Sequence, residues 1–175
     1  EPVPALLDAA QHAQLLVVGL GGGERPDEML LSSVALAISG HSPCPVAVVR
    51  GRHRLAADGP VLVGVHDPAT DAAALTVAFD DAHRHGGRLV VLHAGHDDPF
   101  RHDPAALTPW TTQFPDVPVG IRLVHEHPAI ALLSAAAEAR LVVLGTRTRG
   151  VAARALFGST SRAVLRSSPV PVVVV

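Results

Sequence analysis

Two short clusters near the carboxyl end of the chain combine the residue types that hold an anion. Gly145-Thr146-Arg147-Thr148-Arg149-Gly150 follows the apolar run Leu141–Leu144, and Gly158-Ser159-Thr160-Ser161 follows a few residues later. Small, hydroxylated residues at the start of a helix leave its first N–H groups open, and the helix dipole behind them favours negative charge. Arg147, Arg149 and Arg154 add cationic donors to the same loop. The stretch reads as a phosphate site. Ser159 is expected to cap the helix rather than to act as a nucleophile.

Other chemistries fit less well. Gly19-Leu20-Gly21-Gly22-Gly23-Glu24 lacks the last glycine of a dinucleotide fingerprint, and no Gly-x-x-x-x-Gly-Lys-Ser/Thr or Gly-x-Ser-x-Gly sequence occurs. His93 and His96 with Asp97 and Asp98, and His125 with His127, could carry metal ligands, the latter pair facing one way if the strand before them continues. A site needs three or four converging ligands, so solvated polar edges are the expectation and no metal is assigned. His83 and His85 suit the C-terminus of a helix. Cys44, between two prolines at the start of a strand, is expected to be structural. Trp110 and Phe114 pack a long connection or form a lid over a ligand.

Composition sets the class. The chain has 175 residues, 48% hydrophobic, with a formal net charge of −2. Near neutrality gives no electrostatic case for nucleic acid or a membrane surface. No apolar run approaches the roughly 18 residues of a membrane span, and no cleavable signal pattern opens the sequence. One cysteine excludes an internal disulfide framework, so a cytoplasmic location is expected. Lysine is absent, and after Glu138 the charged residues are all arginine, which makes the carboxyl end the basic region.

The elements that must position these groups emerge from an internal repeat. A shift of 126 places residues 1–49 on 127–175 without a gap, with 19 of 49 pairs identical. The chain therefore reads as the last part of one unit (1–49), a polar linker (50–59) and a complete second unit (60–175), so that it begins in mid-unit. In the first part, a helix from Pro2 or Pro4, a strand at Leu15–Val18, a helix from Ser32 or Ser33 to about Gly40 and a strand at Val46–Val49 are expected. In the second, strands are expected at Pro60–Val65, Arg88–His93, Val119–His125, Leu141–Leu144 and Val172–Val175. Helices are expected at Asp71–His85, Ala129–Ala139 and Ser159–Arg166, with an irregular connection at 95–118. Apolar strands alternating with helices mean an α/β fold with a parallel sheet covered on both faces, its ligands at the carboxyl ends of the strands.

Gly145-Thr146-Arg147-Thr148, nine residues, then Gly158-Ser159, together with the Ser168-Pro169-Val170-Pro171 ending and Val63-Gly64-Val65 in the first strand of the unit, resembles the universal stress protein family in its tandem form. The resemblance implies an open five-stranded parallel sheet of order 3-2-1-4-5 with helices on both faces, the adenine nucleotide alpha hydrolase-like arrangement, plus a partial second copy. It also implies pairing of units, in tandem or as a homodimer, through strand five. In the nucleotide-binding branch of the family, ATP or AMP, with or without Mg, lies over the strand ends. Carried over here, Gly145, Gly158, Ser159 and Thr160 meet the phosphates, Arg147, Thr148 and Arg149 belong to the same loop, and Val65, His66 and Leu144 flank the adenosine.

The chain departs from the family pattern at two positions. Thr148 stands where the motif has a second glycine, narrowing the backbone angles available. His66-Asp67 stands where nucleotide-binding members carry aspartate, and because successive strand residues face opposite ways, Asp67 is no simple replacement. The loop of the first unit carries Glu24, Asp27 and Glu28 against Arg25 alone, so the second unit is the one expected to bind nucleotide. The alternative is a nucleotide-free module acting through dimer or tandem contacts. A third reading is a weak ATP hydrolase, for which the loop supplies no base or metal ligand.

Overall fold

The computed structural model describes residues 1–20, 33–50, 58–96, 99–103, 105–145 and 158–175. The chain runs α1 (Pro2–Ala10), β1 (Leu16–Leu20), α2 (Ser33–His41), β2 (Val46–Arg50), β3 (Val61–Gly64), α3 (Ala72–Arg84), β4 (Leu89–Ala94), α4 (Pro99–His102), α5 (Thr108–Gln113), β5 (Val119–Val124), α6 (Pro128–Ala136), β6 (Leu141–Leu144), α7 (Ser159–Ser167) and β7 (Val172–Val174). Its strands form one seven-stranded sheet of order β1-β2-β7-β6-β3-β4-β5. Within the stretch from residue 60 onward this is the doubly wound order 3-2-1-4-5.

The repeat is visible in the element boundaries. Residues 2–10, 33–41 and the start of β2 at 46, shifted by 126, fall on the bounds of α6 and α7 and on the start of β7. All neighbouring strands are parallel except β2 and β7, which pair antiparallel with Val46 opposite Val174, Ala47 opposite Val173 and Val48 opposite Val172. The two related pieces thus meet through their final strands within one chain.

Fully apolar runs form the inner strands because both faces of the sheet are covered. Leu62, Val142 and Leu144 join α2, α6 and α7 in one core layer, where Ile38, Val164 and Leu165 are buried. Val61, Val63 and Val143 face the other layer, built on α3 and its Phe79. The two copies differ in burial: Val143 is 0% exposed under α3, whereas its counterpart Val17 on the outer strand β1 is 58% exposed.

The connection expected to be irregular contains two short helices, α4 and α5. The rings of Phe114 and Trp110 stack on Phe79 at centroid distances of 5.9 and 6.4 Å, and the indole N–H of Trp110 donates to Thr76 Oγ1 at 2.9 Å. Both aromatics therefore anchor the connection to α3. The expected β5 extension to His125 does not form. The strand ends at Val124, and His125 Nδ1 contacts the Gly95 carbonyl at 2.9 Å, so the ring is drawn sideways to the β4 end.

Candidate functional site

The order of the sheet makes β3 and β6 neighbours although their continuations lead to opposite sides. Gly64 pairs with Leu144 in register, so residues 65–66 and Gly145 emerge side by side at the carboxyl ends of the two strands. Such a switch point opens a crevice, because the following segments leave to opposite faces. The segment after β6 returns as α7, which must start at this same end in order to lead into β7, parallel to β6.

Gly158, not Ser159, is the N-cap of α7, with extended backbone (φ −57°, ψ 150°), and no side chain caps the helix. Ser159 is the first helical residue and is exposed, Thr160 is half-buried and Ser161 is buried. The expected serine cap is therefore replaced by a residue without a side chain. Arg147, Thr148 and Arg149 lie outside the described residues.

On the β3 side, Val65 is 4% exposed, so its side chain belongs to the core. Its carbonyl faces His93 Nδ1 at 3.0 Å. His66 is exposed and its ring lies 6.2 Å from that of His93. The Asp67 carboxylate is occupied locally: Oδ1 accepts from the Ala69 and Thr70 N–H groups at 3.0 and 2.9 Å, closing the turn before α3.

The carboxylate that does reach the crevice is Asp71. Although it is the N-cap of α3, its side chain makes no capping hydrogen bond. Oδ2 instead accepts from the N–H groups of His66 at 2.7 Å and Asp67 at 3.1 Å. Oδ1 lies 2.8 Å from where a Cβ on Gly145 would be, so this glycine is what lets the carboxylate into the gap between the strand ends. Sequence reasoning missed Asp71. Its signal was an aspartate placed before an alanine-rich helix and seven residues beyond the end of β3.

The profile of the universal stress protein family matches residues 1–50 and 101–175. The chain belongs to that family. Universal stress protein Rv2005c of Mycobacterium tuberculosis is 34% identical over 192 aligned residues, covering 99% of this chain and 65% of that protein. The chain thus spans just under two thirds of the length of the curated relatives it matches. A universal stress protein structure from Archaeoglobus fulgidus DSM 4304 superposes with a TM-score of 0.78 at 25% identity, over 99% of this chain and 64% of that one. The fold is shared with two shorter structures of the family. One, in complex with cAMP, has a TM-score of 0.54 at 24% identity over 67% of this chain and 97% of its own. The other, from Archaeoglobus fulgidus in complex with dAMP, has a TM-score of 0.51 at 20% identity over 66% and 96%.

Among the described residues the remaining histidines do not converge. His93 is buried on Val65, and His96 stacks on His125 at 5.8 Å. His127 is drawn away as the N-cap of α6, its Nδ1 accepting from Ala129 N–H at 3.3 Å. Among the described residues no group of three or more His, Cys, Asp or Glu suits a metal ion. His85 Nδ1 contacts the Asp81 carbonyl at 2.8 Å near the end of α3. His83 is 2.7 Å from Asp116 Oδ2, and that hydrogen bond holds the Asp116 carboxyl below its usual range. Cys44 is half-buried, 3.5 Å from Ser42 Oγ. No helix among the described residues is long and apolar enough to cross a membrane.

Proposed function

We propose that the chain binds an adenine nucleotide, ATP or AMP, across the carboxyl ends of β3 and β6, and serves a stress-response or signalling role without catalysis. The observation that carries this reading is the adjacency of the β3 end, Gly145 and the glycine-capped start of α7 at the switch point. A phosphate there meets backbone N–H groups and a favourable dipole. In this reading Gly145, Gly158, Ser159 and Thr160 donate to the phosphates, Arg147, Thr148 and Arg149 line the same loop, and Leu144, Val65 and His66 border the adenosine. The cAMP and dAMP complexes of fold relatives lend support. The same reading takes residues 1–49 as the end of a first unit, 50–59 as linker and 60–175 as a complete second unit, in the cytoplasm.

Calorimetric titration with AMP and with Mg-ATP tests it, on the unmodified chain and on Gly158→Glu. A Cβ on Gly158 meets nothing within 4 Å among the described residues, so this variant is expected to keep its fold while placing a carboxylate near the phosphate position, and its thermal transition checks that. Binding heat that the variant weakens tenfold or more is expected. No heat in the unmodified chain overturns the reading.

A second reading has its own support in the β2–β7 junction. A nucleotide-free module would use such sheet-edge contacts to assemble with a second copy, and light scattering at rising concentration detects that dimer whatever the titration shows.

A further inference from the structure

β5 ends the sheet, and no described strand pairs with its outer edge. The backbone polarity of that edge follows from its inner neighbour. The carbonyls of Pro118 and Val124 accept from the N–H groups of Leu89 and Gly95 at 2.9 and 3.0 Å, and β4 and β5 stay in parallel register between those points. In a parallel ladder, alternate residues turn both backbone groups to the same neighbour. Gly120, Arg122 and Val124 are therefore bonded to β4, whereas Val119, Ile121 and Leu123 direct their N–H and C=O groups outward. By alternation the side chains of these three share one face. Val119 packs there against the core layer of α3, while Ile121 and Leu123 are 49% and 44% exposed.

Exposed sheet edges are ordinarily blunted by charge, proline or a bulge. β5 has an unbroken register and no proline, and its one charged residue is Arg122. The strand is also complementary to itself. A two-fold axis perpendicular to the sheet lays a second β5 antiparallel beside the first with matching faces, so that outward residues pair with outward residues. Centred on Ile121, all three find partners: Ile121 faces Ile121, Val119 faces Leu123, and Arg122 stands opposite the second copy's Gly120, where no charge opposes it. A centre on Arg122 sets the two guanidinium groups directly opposite each other, which is unfavourable. A centre on Gly120 puts Leu123 opposite Val117, whose N–H is already given to the Phe114 carbonyl at 3.2 Å.

We infer that the outer edge of β5 joins that of a second copy of this chain, antiparallel and centred on Ile121, so that one sheet runs through both molecules. The contact does not depend on nucleotide. It deepens the nucleotide-free reading by placing assembly on β5 rather than on a copy of the β2–β7 seam, which is already closed within the chain. About six backbone hydrogen bonds and one row of apolar pairs form a contact at the lower end of specific interfaces, so a micromolar dissociation constant is expected.

Sedimentation velocity between about 1 μM and about 1 mM tests this on the unmodified chain and on Ile121→Asp, Gly120→Glu and Val17→Asp, with the thermal transition of each recorded first. Ile121→Asp opposes two carboxylates at the centre of the pair and should weaken the dimer about tenfold or more. A Cβ on Gly120 meets nothing within 4 Å, and Gly120→Glu sets a carboxylate opposite Arg122 twice over, so this variant should tighten the dimer about threefold or more. Val17→Asp, on the exposed face of the other outer strand, β1, should leave it unchanged. A chain that stays monomeric throughout overturns the inference together with the dimer of the nucleotide-free reading. A dimer that Val17→Asp dissolves and Ile121→Asp does not places assembly at β1, which overturns the inference and leaves that reading standing. Weakening by Ile121→Asp without tightening by Gly120→Glu overturns the register centred on Ile121.

Discussion

Ala47 and Val173 lie opposite one another in the antiparallel β2–β7 pair, and they are also the same position of the internal repeat, 126 residues apart. Val46 and Val48 face the counterparts of each other, Val174 and Val172, so a local two-fold axis passes between Ala47 and Val173. The piece formed by residues 1–50 is held to the rest largely through this seam and the core layer beneath it. Val48→Asp places an unpaired charge at a position 2% exposed, which a folded core does not tolerate. Hydrogen exchange should show β1 and β2 losing protection while β3 and β4 retain theirs. Equal loss in both halves would show that the sheet opens as one unit.

Gly145 and Asp71 are coupled by space. A methyl on Gly145 displaces Asp71 Oδ1 from its 2.8 Å approach while Oδ2 remains tied to the β3 end. Gly145→Ala should therefore cost about 1–2 kcal/mol, and clearly less in an Asp71→Ala background. Urea denaturation of the four members of this double-mutant cycle should give a coupling energy of about 1 kcal/mol. Additive behaviour would mean that the carboxylate moves aside freely.

Gly59 is a site where backbone meets backbone. A Cβ there would come within 2.6 Å of the Glu138 carbonyl oxygen and 2.9 Å of Arg140 N, next to the bond from Arg140 N–H to the Pro60 carbonyl. Neither neighbour can rotate away, so Gly59→Ala is expected to cost about 1–3 kcal/mol. Gly120→Ala, which meets nothing within 4 Å, should change stability by less than about 0.5 kcal/mol in the same urea series.

The His83–Asp116 contact predicts a small acid-side effect. Hydrogen bonding from His83 lowers the folded-state pKa of Asp116 below its unfolded value. A depressed carboxyl pKa contributes stability that is present above the unfolded value of about 4 and is lost as pH falls through the lower folded value. Melting temperatures of the unmodified chain and Asp116→Asn should therefore differ slightly near neutrality and converge in strong acid. A gap that widens on acidification contradicts the assignment. Both groups are solvent-exposed, so the gap is modest.

The strands and the helices flanking them were legible because burial on two faces requires uninterrupted apolar runs, and Leu141–Leu144 or Leu89–Leu92 can hardly be anything else. The repeat then carried the assignment across to the first 49 residues. Side-chain direction was not legible in the same way. Nothing local distinguishes the Asp67 carboxylate, used in its own turn, from that of Asp71, turned to the strand end; the difference is made by Gly145, which is 74 residues away in sequence. His125 and His127 part company for a similar reason, one drawn to the Gly95 carbonyl and the other to the start of α6. The serine cap failed because Gly158 already supplied the extended residue that the turn needs.

The antiparallel seam also bears on the order of events at the ribosome. β2 leaves the exit tunnel well before β7, its partner 126 residues downstream. At about 5–20 residues per second that interval is on the order of ten seconds. Throughout it, Val46–Val49 presents an apolar strand with one unpaired edge, the kind of surface that nascent chains lose to one another. Completion of this seam waits on β7, which ties the fate of residues 46–49 to a strand made 126 residues later.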